Sequence, residues 1–229
     1  MRLLGFVIVF VLSVNHATEA HEFFPMCAGS VWEYVGDETS TPYVRECVGW
    51  EDIWGIECAV MEYRTDPDGG LRNYWYEAAD GALVLRGAYR SEEQFGFIYE
   101  PGIWIISAAP FLGEKLCFSV DIYNLPDSTY CDSFSFCHQI VEEGFVNVPA
   151  GKFYAYAVGG VFPDLDRGDY DLLGRKIDAS QRQASMWFTA DVGEVQFIAS
   201  ELYQLVSYSL PPSSLEVTSW SRLRALYRR

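Results

Sequence analysis

The sequence predicts an all-β protein: an antiparallel, curved sheet of about a dozen short strands, arranged as a barrel-like fold or a sandwich. Aromatic residues are abundant, with 15 Tyr, 15 Phe and 7 Trp among 229 residues. Such side chains fit a pleated, half-buried surface. Turn sequences rich in Gly, Pro and Asp recur at short intervals. Short strands with this spacing are typical of sandwiches and barrels rather than of α/β folds.

Turn sequences separate the predicted strands, and no internal segment has the pattern of a helix. Residues 66–70, Asp-Pro-Asp-Gly-Gly, and the dipeptide Asp80-Gly81 are typical hairpin turns. The predicted strands are residues 31–36, 42–50, 55–64, 71–78, 82–90, 94–99, 103–107, 116–123, 134–142, 145–148, 153–162, 184–190, 194–200 and 203–210.

Residues 1–20 have the layout of a secretory signal peptide. Arg2 provides a positive charge, residues 3–14 are almost entirely apolar, and the small residues Thr18 and Ala20 precede the expected cleavage site. The apolar run has roughly 12 residues, whereas a membrane-spanning helix needs about 20. The sequence therefore predicts a protein without a stable membrane span, exported to the periplasm or the exterior, that begins at His21.

The chain after the signal is predicted to be one β domain, residues 21–212, followed by a basic tail, residues 213–229. A faint repeat suggests two similar halves that meet near residues 108–115. The formal net charge is −16, and the tail contributes four arginines against one glutamate. The domain is therefore strongly acidic, and its field repels phosphate backbones, which argues against a nucleic-acid partner.

The tail has a different character from the rest of the chain. If it is helical, Trp220 and Leu223 fall on one side and most of its arginines fall elsewhere. Three interpretations remain open. The tail folds back on the acidic domain, hangs free, or is recognised by an envelope or sorting partner.

All six cysteines follow the predicted signal, and an even number in an oxidising compartment predicts disulfides and no free thiol. In a symmetric hairpin around residues 51–54, Cys47 lies opposite Cys58. Opposed Cα atoms in such a ladder are about 4.5–5.5 Å apart, within reach of a disulfide. Cys47–Cys58 is therefore the predicted pair. Cys131 and Cys137 could close a small loop, which would leave Cys27 and Cys117, but the sequence leaves the connectivity of these four cysteines open.

Three motifs occur in order along the chain: F-P with G-S-V-W-E-Y at residues 24–34, V-P-A-G-K-F at 148–153, and W-F with V-G-E-V at 187–195. They resemble a family of uncharacterised exported bacterial proteins with the patterns F-P-x-x-x-G-x-x-W-x-Y, V-P-A-G-x-F and W-F-x-x-x-V-G-x-V. The resemblance covers most of the chain after the signal. It implies an antiparallel, curved, barrel-like β fold and no agreed activity. Cysteines are not part of the family pattern.

Catalytic motifs are weak in this sequence. Only His21 and His138 follow the signal, and neither a G-x-S-x-G nor an H-E-x-x-H motif is present, so we predict no catalytic residues. We also predict no cofactor, except that the loop with Asp164, Asp166, Asp169 and Asp171 is a weak calcium candidate. Its spacing differs from that of an EF-hand, and an acidic surface loop is the alternative.

These observations predict an exported, non-enzymatic β protein that acts as a binding or structural module of the bacterial envelope or exterior. The alternative is a periplasmic carrier, whose curved sheet holds a lipid or another apolar ligand against an aromatic concave face. Whether the interior of the barrel is filled or hollow distinguishes the two hypotheses.

Overall fold

A computed structural model describes residues 23–38, 40, 42–64, 70–78, 80–161, 186–198 and 201–211. Its twelve antiparallel strands close into a barrel, and the described residues contain no helix, which confirms the predicted all-β class. The strands are β1 (Val31–Gly36), β2 (Pro42–Ile53), β3 (Ile56–Tyr63), β4 (Leu71–Glu77), β5 (Leu83–Arg90), β6 (Phe95–Ile106), β7 (Lys115–Leu125), β8 (Tyr130–Val148), β9 (Gly151–Val161), β10 (Met186–Thr189), β11 (Gly193–Ile198) and β12 (Leu202–Ser209).

The topology follows the chain order. Each strand pairs with the next one, and β12 returns to pair with β1, where Trp32 lies opposite Tyr208. Among the described residues, every strand therefore has a paired neighbour on both sides over at least part of its length. Within the described part of the chain, no helix is long and apolar enough to cross a membrane.

The two ends of the barrel differ. We call the end at which β1 begins the plugged end, because the buried residues 23–26, which precede β1, pack into the interior there. The turns at 54–55, 107–114 and 190–192 lie at the same end, since neighbouring strands alternate in direction. The opposite end, which we call the far end, carries the turn at residues 91–94.

Four of the predicted strands merge into two longer ones. Predicted strands 94–99 and 103–107 form the single strand β6, although Pro101 lies between them. The ladder between β5 and β6 is interrupted at this point, because Gly87 faces Ile98 and Leu85 faces Ile103. A proline at an interruption removes no ladder hydrogen bond, so the strand continues past it.

The second merger occurs in β8, which joins predicted strands 134–142 and 145–148. The register with β9 shifts between Ile140 and Glu142, and Gly144 has a φ of +157°. A bulge and an extended glycine bend a strand without ending its pairing. The turn-like sequence Glu142-Glu143-Gly144 therefore marks a bend rather than a loop.

Candidate functional site

The first and third sequence motifs meet inside the plugged end. The β1 side chains of Trp32 and Tyr34 are buried and reach the segment that leads into β11. Trp32 Nε1 donates a hydrogen bond to the carbonyl of Val192 at 2.6 Å, and the Tyr34 hydroxyl donates to the carbonyl of Glu194 at 2.9 Å. These hydrogen bonds give the indole N–H of Trp32 and the hydroxyl of Tyr34 a partner inside the core.

Phe24 fills the space next to these two residues. Its ring stacks on Trp32 at 5.3 Å between centroids and contacts Trp75 at 5.4 Å, and only 1% of Phe24 is exposed. Gly193 has a φ of +100°, and a Cβ there would lie 2.8 Å from the Phe24 ring. The glycine of the third motif therefore makes room for the phenylalanine of the first.

A buried ion pair lies next to this packing. Arg45 on β2 donates from Nη1 to the Glu194 carboxylate on β11, and both side chains are almost fully buried. The Arg45 guanidinium also lies over the rings of Tyr34, Tyr63 and Phe197, at 4.9–5.3 Å from their centroids. Cation–π contacts at these distances are favourable, and more so where water is excluded.

Burial and pairing act against each other in this ion pair. Burial raises the pKa of the Glu194 carboxyl, and the Arg45 guanidinium opposes that rise. Burial by itself lowers the pKa of Arg45. The neighbouring Tyr63 and Glu194 together raise this pKa by more than burial lowers it, so it lies above its ordinary value. Arg45 is therefore positively charged, and its hydrogen bond fixes Glu194 in place. This arrangement bridges strands and offers no free nucleophile or base.

Sequence reasoning missed the Arg45–Glu194 pair. The alternation of side chains along a strand could have indicated a buried arginine, because Tyr43, Arg45 and Cys47 occupy every second position of β2 and therefore share one face. Tyr43 and Cys47 both contribute to the core, so an arginine between them needs a buried anion. Which of the chain's many acids provides that anion depends on the barrel's closure, which the sequence pattern does not give.

His138, the only histidine that the structure describes, is buried in the interior. One of its ring nitrogens, Nδ1, lies 2.6 Å from the carbonyl of Trp104, and its ring contacts Phe118 and Phe136. Burial lowers its pKa to about 4, and the Trp104 carbonyl opposes part of this shift. His138 is therefore neutral at physiological pH and faces aromatic side chains.

The structure contains the disulfide Cys117–Cys137, which differs from both pairings considered for the four cysteines whose connectivity the sequence left open. The two residues face each other directly in the β7–β8 ladder, with a Cα–Cα distance of 4.0 Å. Cys27, Cys47, Cys58 and Cys131 are unbonded in this structure, so the prediction of no free thiol is wrong. The pairings Cys131–Cys137 and Cys27–Cys117 are wrong as well. Both were made without the register of β7 against β8, which brings together cysteines 20 positions apart.

The predicted Cys47–Cys58 disulfide is also wrong. The β2–β3 turn consists of Trp54 and Gly55, with φ values of +56° and +78°, so β2 extends farther than expected. In this register Cys58 faces Glu51, and Cys47 faces Met61. Cys47 points into the core, whereas Cys58 packs outside it, and the two side chains lie on opposite faces of the sheet.

An aromatic row runs along the β8–β9 hairpin from solvent to the plugged end. Phe145 is 67% exposed and contacts Tyr154, which is 44% exposed, edge to face at 5.3 Å. Tyr154 contacts Tyr156 at 5.8 Å, and Tyr156 contacts Phe23 at 5.7 Å. We call these four residues the aromatic row. Its outer half, Phe145 and Tyr154, is exposed among the described residues.

Two groups of predicted functional residues lie outside the described residues. The calcium candidates Asp164, Asp166, Asp169 and Asp171 are among them, as is the basic tail, residues 213–229. Among the described residues, no group of three or more His, Cys, Asp or Glu side chains is placed to hold a metal ion. The calcium site stays a prediction.

Comparison with known proteins gives few matches. No family model matches the sequence, and no curated protein matches it. Among solved structures, the chain is similar to one described as "Crystal structure of a putative lipoprotein from Parabacteroides distasonis ATCC 8503". That similarity has 15% sequence identity and a TM-score of 0.42, and it covers 84% of this chain and 100% of that chain. The resemblance to the exported bacterial family stays a prediction.

We predict that Arg45→Met destabilises the protein by about 3–5 kcal/mol, because it leaves the Glu194 carboxylate buried without its cation. Urea unfolding measures this free energy. Arg72→Met is the matched control, since Arg72 forms partly exposed ion pairs with Glu51 and Glu62, worth about 0–1 kcal/mol each. Similar losses in both variants would contradict a structural role for the buried pair.

We further predict that stability falls as the pH falls from 7 to 5, in part because of His138. Its folded-state pKa of about 4 lies below the ordinary value of 6.5, so the unfolded chain binds the proton first. Because of this difference in proton binding, the free energy of unfolding decreases by about 2 kcal/mol between pH 7 and pH 5. His138→Gln should flatten this part of the urea-unfolding profile. An unchanged pH dependence in the variant would refute the assignment.

Proposed function

We propose that this protein is an exported, non-enzymatic binding or structural module of the bacterial envelope or exterior, and that it binds with its outer surface. The supporting observation is the packing of Phe24 against Trp32 and Trp75. The chain uses its own N-terminal segment to fill the plugged end. Recognition is therefore assigned to the outside of the barrel.

Export is supported by two independent features. The first 20 residues have the charge, the apolar run and the small residues of a secretory signal. The structure also contains the disulfide Cys117–Cys137, and disulfides persist mainly in oxidising compartments. These features support a periplasmic or extracellular protein.

The alternative function, a carrier of a lipid or another apolar ligand, requires an apolar space inside the barrel. Large side chains from several strands occupy the interior instead, among them Trp32, Tyr34, Met61 and Phe188, all of which are almost fully buried. The same core also contains the buried Arg45–Glu194 ion pair, whose polarity does not suit an alkyl chain.

The exposed half of the aromatic row is the binding surface that we propose. Phe145 and Tyr154 face each other across the β8–β9 ladder, and Lys152 Nζ lies 4.6 Å from the centroid of the Phe145 ring. Exposed aromatic residues at this density are a common feature of interaction sites. Glu142 and Glu143 on the same strand are also exposed, so a complementary partner is apolar with basic groups.

Native mass spectrometry of the purified protein tests the choice between binder and carrier. A binder should give the mass of the polypeptide alone, whereas a carrier should retain an apolar ligand that organic solvent extracts. Co-sedimentation with isolated cell envelopes then tests the surface: Phe145→Ser/Tyr154→Ser should reduce binding at least about tenfold, as expected for the loss of central aromatic contacts. Phe95→Ser, at a residue 41% exposed at the far end, is the matched control. Retained ligand, or equal binding by both variants, would overturn the proposal.

The tail, residues 213–229, is proposed to interact with an envelope or sorting partner. Tyr208, near the last described residue of the domain, contacts Phe153 of β9 at 6.4 Å between ring centroids. Exposed ion pairs between tail and domain are worth only about 0–1 kcal/mol each. Burial of Trp220 and Leu223 would add roughly 1.5–3 kcal/mol apiece.

We therefore predict that deletion of residues 213–229 leaves the β fold intact and lowers the melting temperature by only a few degrees. The loss should appear in localisation or in partner binding. Circular dichroism on heating and fractionation of cells measure the two effects. A truncated protein that fails to fold, or one that is exported and retained normally, would contradict this role of the tail.

A further inference from the structure

The N-terminal segment is held against β2 by backbone hydrogen bonds on both sides of Cys47. The amide of Gly29 donates to the Cys47 carbonyl at 2.8 Å, and the amide of Cys47 donates to the Ser30 carbonyl at 2.9 Å. A tight turn precedes this contact, in which the Ser30 amide donates to the Cys27 carbonyl at 2.9 Å. The turn places Cys27 next to the strand position that Cys47 occupies.

The two thiols are also electrostatic neighbours. Burial raises the pKa of Cys47 to about 12, and the proximity of Cys27 contributes to this rise. Cys47 is buried in the core, while Cys27 is partly exposed at the plugged end. The thiol of Cys27 is therefore the more accessible of the two.

The other described cysteines lie elsewhere in the fold. Cys117 and Cys137 are bonded to each other on β7 and β8. Cys58 packs with Val60 and Tyr74 outside the core, on the face of the sheet opposite to Cys47. Cys131 is exposed at the start of β8, at the far end.

We propose that Cys27 and Cys47 form a second disulfide in the exported protein, and that this bond ties the plugging segment to β2. The oxidant is a disulfide of the export compartment. The Cys27 thiolate attacks it and forms a mixed disulfide, and one thiolate leaves the oxidant. The Cys47 thiolate then attacks the Cys27 sulfur and displaces the second thiolate. The two protein thiols lose two electrons and two protons in total, and the oxidant is reduced to a dithiol.

This bond has a clear structural consequence. Phe24, which fills the plugged end, lies three residues before Cys27, and its ring packs against Trp32 and Trp75. A covalent bond from Cys27 to β2 restricts the distance that Phe24 can move from Trp32. The bond therefore retains the plug when the barrel end opens locally.

Peptide mapping of the full-length exported protein tests the proposal. The purified protein is denatured, alkylated without reduction and cleaved after glutamate, which separates Cys47 from Cys58 because Glu51 and Glu57 lie between them. We expect a cross-linked pair of peptides that contain Cys27 and Cys47, and full alkylation of Cys58. A disulfide between Cys27 and a cysteine other than Cys47 would overturn the proposal. Detection of both Cys27 and Cys47 in alkylated form would also overturn it. In the latter case, one intact disulfide within the peptide 115–142, which carries Cys117 and Cys137, shows that export occurred and that only the second disulfide is absent.

Variants add a readout in the folded state. Cys27→Ser should increase the rate of proteolysis before β1 several-fold, since the segment then opens without the covalent restraint. Cys58→Ser is the matched control, because it removes a buried thiol that faces away from the segment, and it should behave like the wild type. Equal proteolysis of Cys27→Ser and wild type would contradict the proposed bond, even if Cys47→Ser fails to fold.

Discussion

The insertion of Phe24 into the barrel is the contact on which the rest of this structure depends. A twelve-stranded barrel has an interior that side chains from its strands must fill if it is not to hold water or ligand. Here the chain fills one end with a segment that precedes the first strand. Phe24 stacks on Trp32 and contacts Trp75, and Gly193 gives it room. Burial of a phenylalanine contributes roughly 1.5–3 kcal/mol, which is a large share of a typical domain's stability.

The closure of the barrel and the filling of its interior are coupled through the same residues. Trp32 and Tyr34 belong to β1, which pairs with both β2 and β12, and their polar atoms bond to carbonyls at the start of β11. The Arg45–Glu194 pair bridges β2 and β11 on the inside, across the two strands between them. The first and last parts of the chain are therefore joined by backbone ladders, by side-chain hydrogen bonds and by charge.

Periodicity and turn residues predicted the β class and the approximate position of most strands, because these signals are local. Long-range register was not accessible in this way. Two consecutive positive-φ residues, Trp54 and Gly55, make a shorter β2–β3 turn than the one assumed, and this separates Cys47 from Cys58. Pro101 lies between two predicted strands that form one, at a point where the ladder is already interrupted. The Arg45–Glu194 pair joins residues 149 positions apart, so only closure of the barrel brings it together.

Packing, rather than chemistry, explains the three motifs of the sequence. The F-P and W-x-Y elements supply the ring that fills the plugged end and the two side chains that bond to β11. The V-G-E-V element supplies the carbonyls, the glycine beneath Phe24 and the carboxylate that binds Arg45. In the V-P-A-G-K-F element, the Ala150 amide donates to the Leu205 carbonyl of β12 at 2.9 Å, which fastens the β8–β9 hairpin near the plugged end. That attachment positions Phe145 and Tyr154 beyond the core. The same residues that fill and close the barrel therefore set the place of the surface that we assign to recognition.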